Sequence, residues 1–206
     1  MGERYTLELP LVGEFQAMNA LCAAGLVIAA DADNKLLHMQ VMHTLERLQG
    51  VRGRLELAAT HPCGAPIYVD YAHTPDALDV VLDALRPHTE NRLHALIGCG
   101  GDRDRGKRPL MGEVAAKKAD VVIVTDDNPR SEDPTTIRKD VMAGCPDALE
   151  IDGRMEAIRT AIKNLKTGDV LVISGKGHEQ GQIIKDKIIP FDDVSAAVEA
   201  VTEVKA

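Results

Sequence analysis

The chain contains no tryptophan and only 2% aromatic residues, so any core it builds must be aliphatic. Cysteine is sparse as well. Cys22, Cys63, Cys99 and Cys145 are widely spaced and make no C-x-x-C, which disfavours a disulfide scaffold and suits a reduced, cytoplasmic protein. Long apolar runs are missing: the longest, from Ala20 to Ala30, is too short to span a bilayer. The residues after Met1 carry no signal-peptide pattern. Positive charge is in deficit, with 24 Lys and Arg against 32 Asp and Glu, for a net −8. That balance argues against general nucleic-acid or membrane-surface binding but leaves room for a local basic site. What is present, 206 residues of which 45% are hydrophobic, suffices for one large domain or one domain plus a fragment.

The chain divides near Gly50–Gly53. Ahead of that point the pattern predicts a short strand over Tyr5–Leu9 and helices over Phe15–Ala30 and Asn34–Leu48, where Leu36, Leu37, Val41, Leu45 and Leu48 recur at helical spacing. A strand and two helices have no sheet to pack on, so this part reads as the tail of a larger domain or a helical cap on the next one. After Gly53, apolar runs at Ile67–Tyr71, Ala95–Cys99, Val121–Thr125, Leu149–Ile151 and Val170–Ser174 alternate with helices starting near Pro75, Pro109, Pro134 and Gly153. This alternation specifies an α/β fold, a mostly parallel sheet with helices on both faces. The tail predicts a β-hairpin from Gln182–Ile184 and Ile188–Phe191, then a last helix over Asp192–Val204.

The run from Leu96 to Pro109 is the most chemically loaded segment: a buried strand, a Gly-rich turn, then Asp102-Arg103-Asp104-Arg105-Gly106-Lys107-Arg108. Glycines there can turn backbone N–H groups toward an anion, and a helix start adds partial positive charge. Gly101 to Lys107 nearly matches a Walker A loop, but Arg108 stands where Ser or Thr would hold Mg²⁺. A guanidinium-lined site for a carboxylate or phosphate is one reading, and a solvated, charged turn is the other.

In open α/β sheets, ligands bind beyond the carboxyl ends of the strands. Four strand ends carry chemically capable residues: Asp70-Tyr71-Ala72-His73, the Gly-rich turn with Arg103, Asp126-Asp127-Asn128-Pro129-Arg130, and Gly175-Lys176-Gly177-His178-Glu179. Each has a plain structural alternative, such as a helix cap at Asp70 or His73, or a turn at Asp126–Asn128. Four on one sheet edge are harder to explain as turns. His38, His43, His61, His88 and His94 are assigned no chemistry.

These four segments, with Gly53-Arg54-Leu55-Glu56, resemble motifs of the Mur ligases in their order. Those ATP-dependent enzymes add amino acids to the peptidoglycan precursor. The Asp127-Asn128-Pro129-Arg130 form looks like the branch that adds meso-diaminopimelate rather than lysine. The resemblance implies that residues 1–52 are a helical remnant of the central ATP-binding domain. It implies that 53–206 form the Rossmann-like C-terminal domain that receives the amino acid. It implies ATP and Mg²⁺ as cofactors, and meso-diaminopimelate and a UDP-N-acetylmuramoyl-dipeptide as substrates. Arg103, Asp127, Asn128, Pro129, Arg130, Gly175 and Glu179 would bind the amino acid, while Asn19, Arg54, Asp70 and His73 would reach ATP. Gln16 departs from the usual Asn. The family's own Walker A loop and carbamylated lysine have no counterpart in these residues, so no catalytic residue is assigned. A stand-alone sensor of an amino acid or precursor is the competing class. A dinucleotide oxidoreductase is disfavoured, because the first βα turn lacks G-x-G-x-x-G.

Overall fold

The computed structural model describes Arg4 and residues 6–205, which divide into two compact units, one ending at Gly50 and the other beginning at Val51. In the first, α1 (Glu14–Ala30) packs on α2 (Lys35–Leu45). The Asn34 side chain caps α2, accepting from the Leu37 amide at 3.0 Å. Ala20, Ala24 and Leu45 are buried together, with Leu7, Leu9 and Val41 packed against them. The strand expected over Tyr5–Leu9 does not form at 6–9, and Tyr5 lies outside the described residues. A strand needs a ladder partner for its amides, and the described residues of this unit offer none, so Leu7 and Leu9 serve only as packing.

The second unit is built on strands β1 (Glu56–Thr60), β2 (Pro66–Asp70), β3 (Leu93–Ile97), β4 (Val121–Val124), β5 (Leu149–Glu150) and β6 (Val170–Ser174). They form one sheet in the order β1-β2-β6-β3-β4-β5, parallel throughout except for the antiparallel β1–β2 pair. Between them run α3 (Pro75–Leu85), α4 (Lys107–Lys118), α5 (Pro134–Met142) and α6 (Arg154–Lys163), and α7 (Asp193–Lys205) closes the chain. Two helix starts follow from local chemistry. The Thr74 and Asp133 side chains accept from the amides of Ala77 and Thr136 at 3.3 and 2.9 Å, and proline takes the first helical position of α3 and α5. α4 starts at Lys107, ahead of Pro109.

Strand side chains alternate between two helical layers. Ile67, Val69, Leu171 and Ile173 pack against α6 and α7, whose contact faces are largely Ala157, Ala161, Ala196, Ala197 and Ala200. Small residues let those helices lie close to the sheet, so the core fills without aromatics. Helices α3, α4 and α5 stack side by side on the other face. The buried Arg154 pins α6 to α7: its Nε and Nη2 donate to the two carboxylate oxygens of Asp193, each at 2.7 Å, and Nη2 also donates to the Ser174 carbonyl at 3.0 Å. The expected terminal hairpin is present as β7 (Gly181–Ile184) and β8 (Lys187–Pro190), a separate two-stranded sheet turning at Lys185 with φ 52°.

One strand was not expected. β1 is an edge strand, half exposed, with a register irregularity between Leu57 and Ala59, so it carries neither a continuous apolar run nor clean alternation. The consequence of the sheet order for function is direct. β2, β6, β3 and β4 are consecutive neighbours, so the four motif-bearing loops leave one stretch of one edge. The chain passes from β2 over β6 to β3, moves outward to β5, and returns to β6. Ligands of open α/β sheets bind at such a carboxyl edge.

Candidate functional site at the carboxyl edge of the sheet

The glycines after β3 have a different use from the one the sequence suggests. A Cβ on Gly101 would lie 2.0 Å from the Pro129 carbonyl oxygen, and one on Gly98 would lie 2.8 Å from that of Thr125. They let the loop after β3 run against the loop after β4, backbone to backbone. The Gly101 amide is spent on the Asn128 carbonyl at 2.9 Å, and the Asp102 amide on Glu132 at 2.6 Å. Asp102 in turn accepts from the Ser131 hydroxyl at 2.6 Å and the Ser131 amide at 3.1 Å. The amides of Gly101 and Asp102 thus staple two loops and are not left to cradle an anion.

The basic residues of this run also separate by role. Arg108 has no exposure and forks onto both oxygens of Glu132 at 2.8 and 3.1 Å, with Asp140 at 2.9 Å. Arg105 pairs with Glu132 at 3.0 Å, and Lys107 donates to the His73 carbonyl at 2.7 Å. The Arg108 hydrogen bonds first, then the Asp102 amide and the charges of Arg108 and Arg105, pull the Glu132 carboxyl down to about 2. Arg103 and Arg105 are both exposed, but Arg103 has a single contact, to the carbonyl of Asp102 at 2.9 Å. Of the three arginines in the run, Arg103 is thus the one without a carboxylate partner among the described residues.

Asp127 and Asn128 meet Glu179, as the sequence-derived site requires, but a lysine sits among them. The Lys176 ammonium lies 3.4 Å from Asp127 Oδ1, 3.0 Å from Asn128 Oδ1 and 3.3 Å from Glu179 Oε2, and its side chain is fully buried. Asn128 Nδ2 donates to Glu179 Oε2 at 2.8 Å, and its Oδ1 also accepts from the Ile183 amide at 2.9 Å. The Asn128 side-chain oxygen, expected to receive a ligand ammonium, already has two donors. Gly175 fits here for a steric reason: its φ is 116°, and a Cβ would lie 3.0 Å from Asp127 Oδ2. Lys176 was left without a role in the sequence reading. The glycines on either side of it were the available signal, since φ of 116° and 52° turns that residue inward.

Arg130 adopts φ 51° and is gripped by the hairpin: its amide donates to the Ile183 carbonyl at 3.0 Å, and its carbonyl accepts from the Lys185 amide at 2.7 Å. Its guanidinium is braced through Nη1 on the carbonyls of Gly101 and Asn128, at 2.9 and 3.4 Å. It forms no ion pair with Asp126, Asp127 or Glu132. Asp126 is engaged elsewhere, by Arg138 and the Gly153 amide. Pro129 is buried, its carbonyl accepting from the Glu132 amide at 3.0 Å.

At the end of β2, a second cluster forms. The exposed Arg54 guanidinium lies 4.5 Å from the centre of the Tyr71 ring, with His73 and His178 at 4.6 and 5.0 Å from that ring. Asp70 does not cap α3. Its two buried oxygens accept from the amides of Leu55 and Ala72, each at 2.7 Å, which holds Leu55 at φ 43° and presents Arg54. Burial raises the Asp70 pKa, with those amides and Arg54 pulling the other way. Asn19 is exposed on α1 of the first unit. Among the described residues, no group of three or more His, Cys, Asp or Glu side chains is placed to hold a metal ion, and no helix is long and apolar enough to cross a membrane.

The comparisons with known proteins agree with this geometry. A family model described as "Mur ligase, glutamate ligase domain" matches residues 53–177. The chain is 57% identical over 204 residues to the UDP-N-acetylmuramoyl-L-alanyl-D-glutamate--2,6-diaminopimelate ligase of Zymomonas mobilis, covering 97% of this chain and 41% of that protein. It is 55% identical to the ligase of the same name from Caulobacter vibrioides, covering 100% of this chain and 41% of that protein. A solved structure of a ligase so named superposes with a TM-score of 0.75 at 39% identity, covering 98% of this chain and 41% of that one. The chain thus spans about two fifths of the length of the relatives it matches. With its strand-end loops disposed as described and most of its second unit falling on one family model, the chain belongs to the Mur ligase family.

Proposed function

We propose that the chain is the amino-acid-receiving part of an ATP-dependent ligase. The reaction would join meso-diaminopimelate to UDP-N-acetylmuramoyl-L-alanyl-D-glutamate in the cytoplasm, during peptidoglycan synthesis. Residues 53–206 would form the amino-acid-binding domain, and residues 1–52 the end of the central ATP-binding domain. The names of the relatives support this, as does the absence, among the described residues, of ion pairs at Arg130 and Arg103.

The observation that carries the proposal is Arg130. Its guanidinium is braced by two carbonyls and forms no ion pair, beside a buried Asp127–Lys176–Glu179 cluster. A guanidinium held in place without a carboxylate is ready to take one from a ligand, two N–H groups at once. meso-Diaminopimelate carries two amines and two carboxylates. One carboxylate would go to Arg130 and the other to Arg103, while Glu179 Oε1, which has no hydrogen bond among the described residues, would accept from an ammonium.

ATP with Mg²⁺ would supply the phosphoryl group that activates the acceptor's D-Glu carboxylate as an acyl phosphate. The exposed, unpaired Arg54 fits a phosphate, and Asp70 would serve by holding the Arg54–Leu55 turn. His73, at the edge of the Tyr71 ring, would add a nucleotide contact on the second unit, and Asn19 would be a nucleotide contact of the first. The described residues offer no ligand set for Mg²⁺ itself. The chain's own task is then orientation: it would hold the free amine toward the acyl carbon while phosphate leaves.

Titration of the chain with meso-diaminopimelate and with L-lysine tests this. Diaminopimelate should bind, lysine much more weakly, and Arg130→Ala should lower diaminopimelate affinity by about 2–5 kcal/mol, the cost of truncating a buried charge pair. No binding of either amino acid, or equal loss for both, would overturn it.

A further inference from the structure

We propose that Lys176 is a positioning residue for the amino-acid substrate. Its buried ammonium holds Asn128 and Glu179 in an arrangement that leaves Oε1 of Glu179 open to the ligand's ammonium. This rests on the function proposed above.

An ammonium is a compact, strongly hydrated charge, and its burial is costly unless every N–H finds an acceptor. Lys176 meets that demand with one contact to each of three side chains, at 3.0, 3.3 and 3.4 Å. None is a tight two-body pair. The charge is shared among groups from two separate loops, and so fixes those loops relative to each other. Glu179 shows the result. Its Oε2 is held by Lys176 and by Asn128 Nδ2, while the side chain stays one third exposed. Without Lys176, the Asp127 and Glu179 carboxylates would share the space with no cation between them. The other buried cation nearby cannot take its place, since Arg154 is spent on Asp193 and on the carbonyls of Ser174 and Asp126. Full burial also rules out Lys176 itself as the ligand contact, so it acts through Glu179.

Calorimetric titration of the chain with meso-diaminopimelate, as wild type, Lys176→Met, Glu179→Gln and the double variant, tests this. Lys176→Met should weaken binding about 30-fold or more, as loss of a buried charge partner does. In the Glu179→Gln background, the same change should cost no more than about 3-fold, because the lysine works through that glutamate. Losses that simply multiply would mean a general structural role and overturn the proposal. If the wild-type chain fails to bind the amino acid, the proposed function and this inference fall together. If it binds and the losses multiply, only this inference falls. Should Lys176→Met fail to fold, nitrogen NMR of the Lys176 ammonium gives a second measurement. Its resonance should move when the ligand is added to wild type and stay still in Glu179→Gln. An equal shift in both, or none in wild type despite binding, would overturn the proposal.

Discussion

Gly53 and Gly177 meet backbone to backbone: a Cβ on Gly53 would lie 2.3 Å from the Gly177 carbonyl carbon and 2.2 Å from the His178 nitrogen. Both residues have positive φ, 66° and 52°. Their contact brings the start of the second unit against the loop that carries Lys176 and Glu179, and the Glu56 carboxylate reinforces it by accepting from the Gly53 amide at 2.7 Å.

Gly53→Ala should therefore destabilise the chain by roughly 2–3 kcal/mol, from left-handed strain plus overlap with backbone that cannot move aside. Gly64→Ala is the matched control. Its φ is 93°, yet nothing lies within 4 Å of its would-be Cβ, so it should lose only the strain. Urea unfolding of both variants separates overlap from strain. Equal losses would mean that the Gly53–Gly177 contact is not tight.

Acid should loosen the stapled loops. The Glu132 carboxyl is held at about 2, below its ordinary 4.5, by Arg108, the Asp102 amide and Arg105. A carboxyl whose folded pKa is depressed contributes stability that is complete above its unfolded value and is lost as pH falls toward the folded one. The window runs from about 4.5 down to about 2. Thermal midpoints measured across it should fall less steeply in Glu132→Gln than in wild type, and parallel curves would refute the assignment.

Arg103 and Arg108 should respond in opposite ways. Arg108→Met removes the charge-assisted hydrogen bonds to Glu132 and Asp140, though Glu132 keeps Arg105 and the Asp102 amide, and should cost about 1.5–3 kcal/mol of stability. Arg103→Ala should change stability by less than about 0.5 kcal/mol. It should nonetheless weaken binding of a dicarboxylic diamino acid. Unfolding and titration on the same two variants check both halves.

The difference between those arginines marks where the sequence stops being informative. Both stand in one charged run, and nothing local tells them apart. The partner that buries Arg108 is Glu132, 24 residues away on another loop. The helix starts at Pro75 and Pro134 were legible because cap and proline act within one turn, and buried strands such as Val170–Ser174 because their apolar runs are continuous. The edge strand β1 was not, being half exposed and irregular in register. For the site, the sequence located the four loops and most of their polar residues. It could not show that Lys176 turns inward among them, or that Asp70 spends both oxygens on amides, because each depends on contacts between segments far apart in the chain.

The Tyr71 ring, set between Arg54, His73 and His178, also gives the molecule a built-in optical reporter. With no tryptophan and three tyrosines, ultraviolet emission from the folded chain is tyrosine emission alone. Tyr68 is buried in β2, away from solvent quenchers, whereas Tyr71 lies under an exposed cation and beside two imidazoles. A phosphate that drew the guanidinium off the ring would alter the brightness of Tyr71. Events at this sheet edge can thus be followed without an added label.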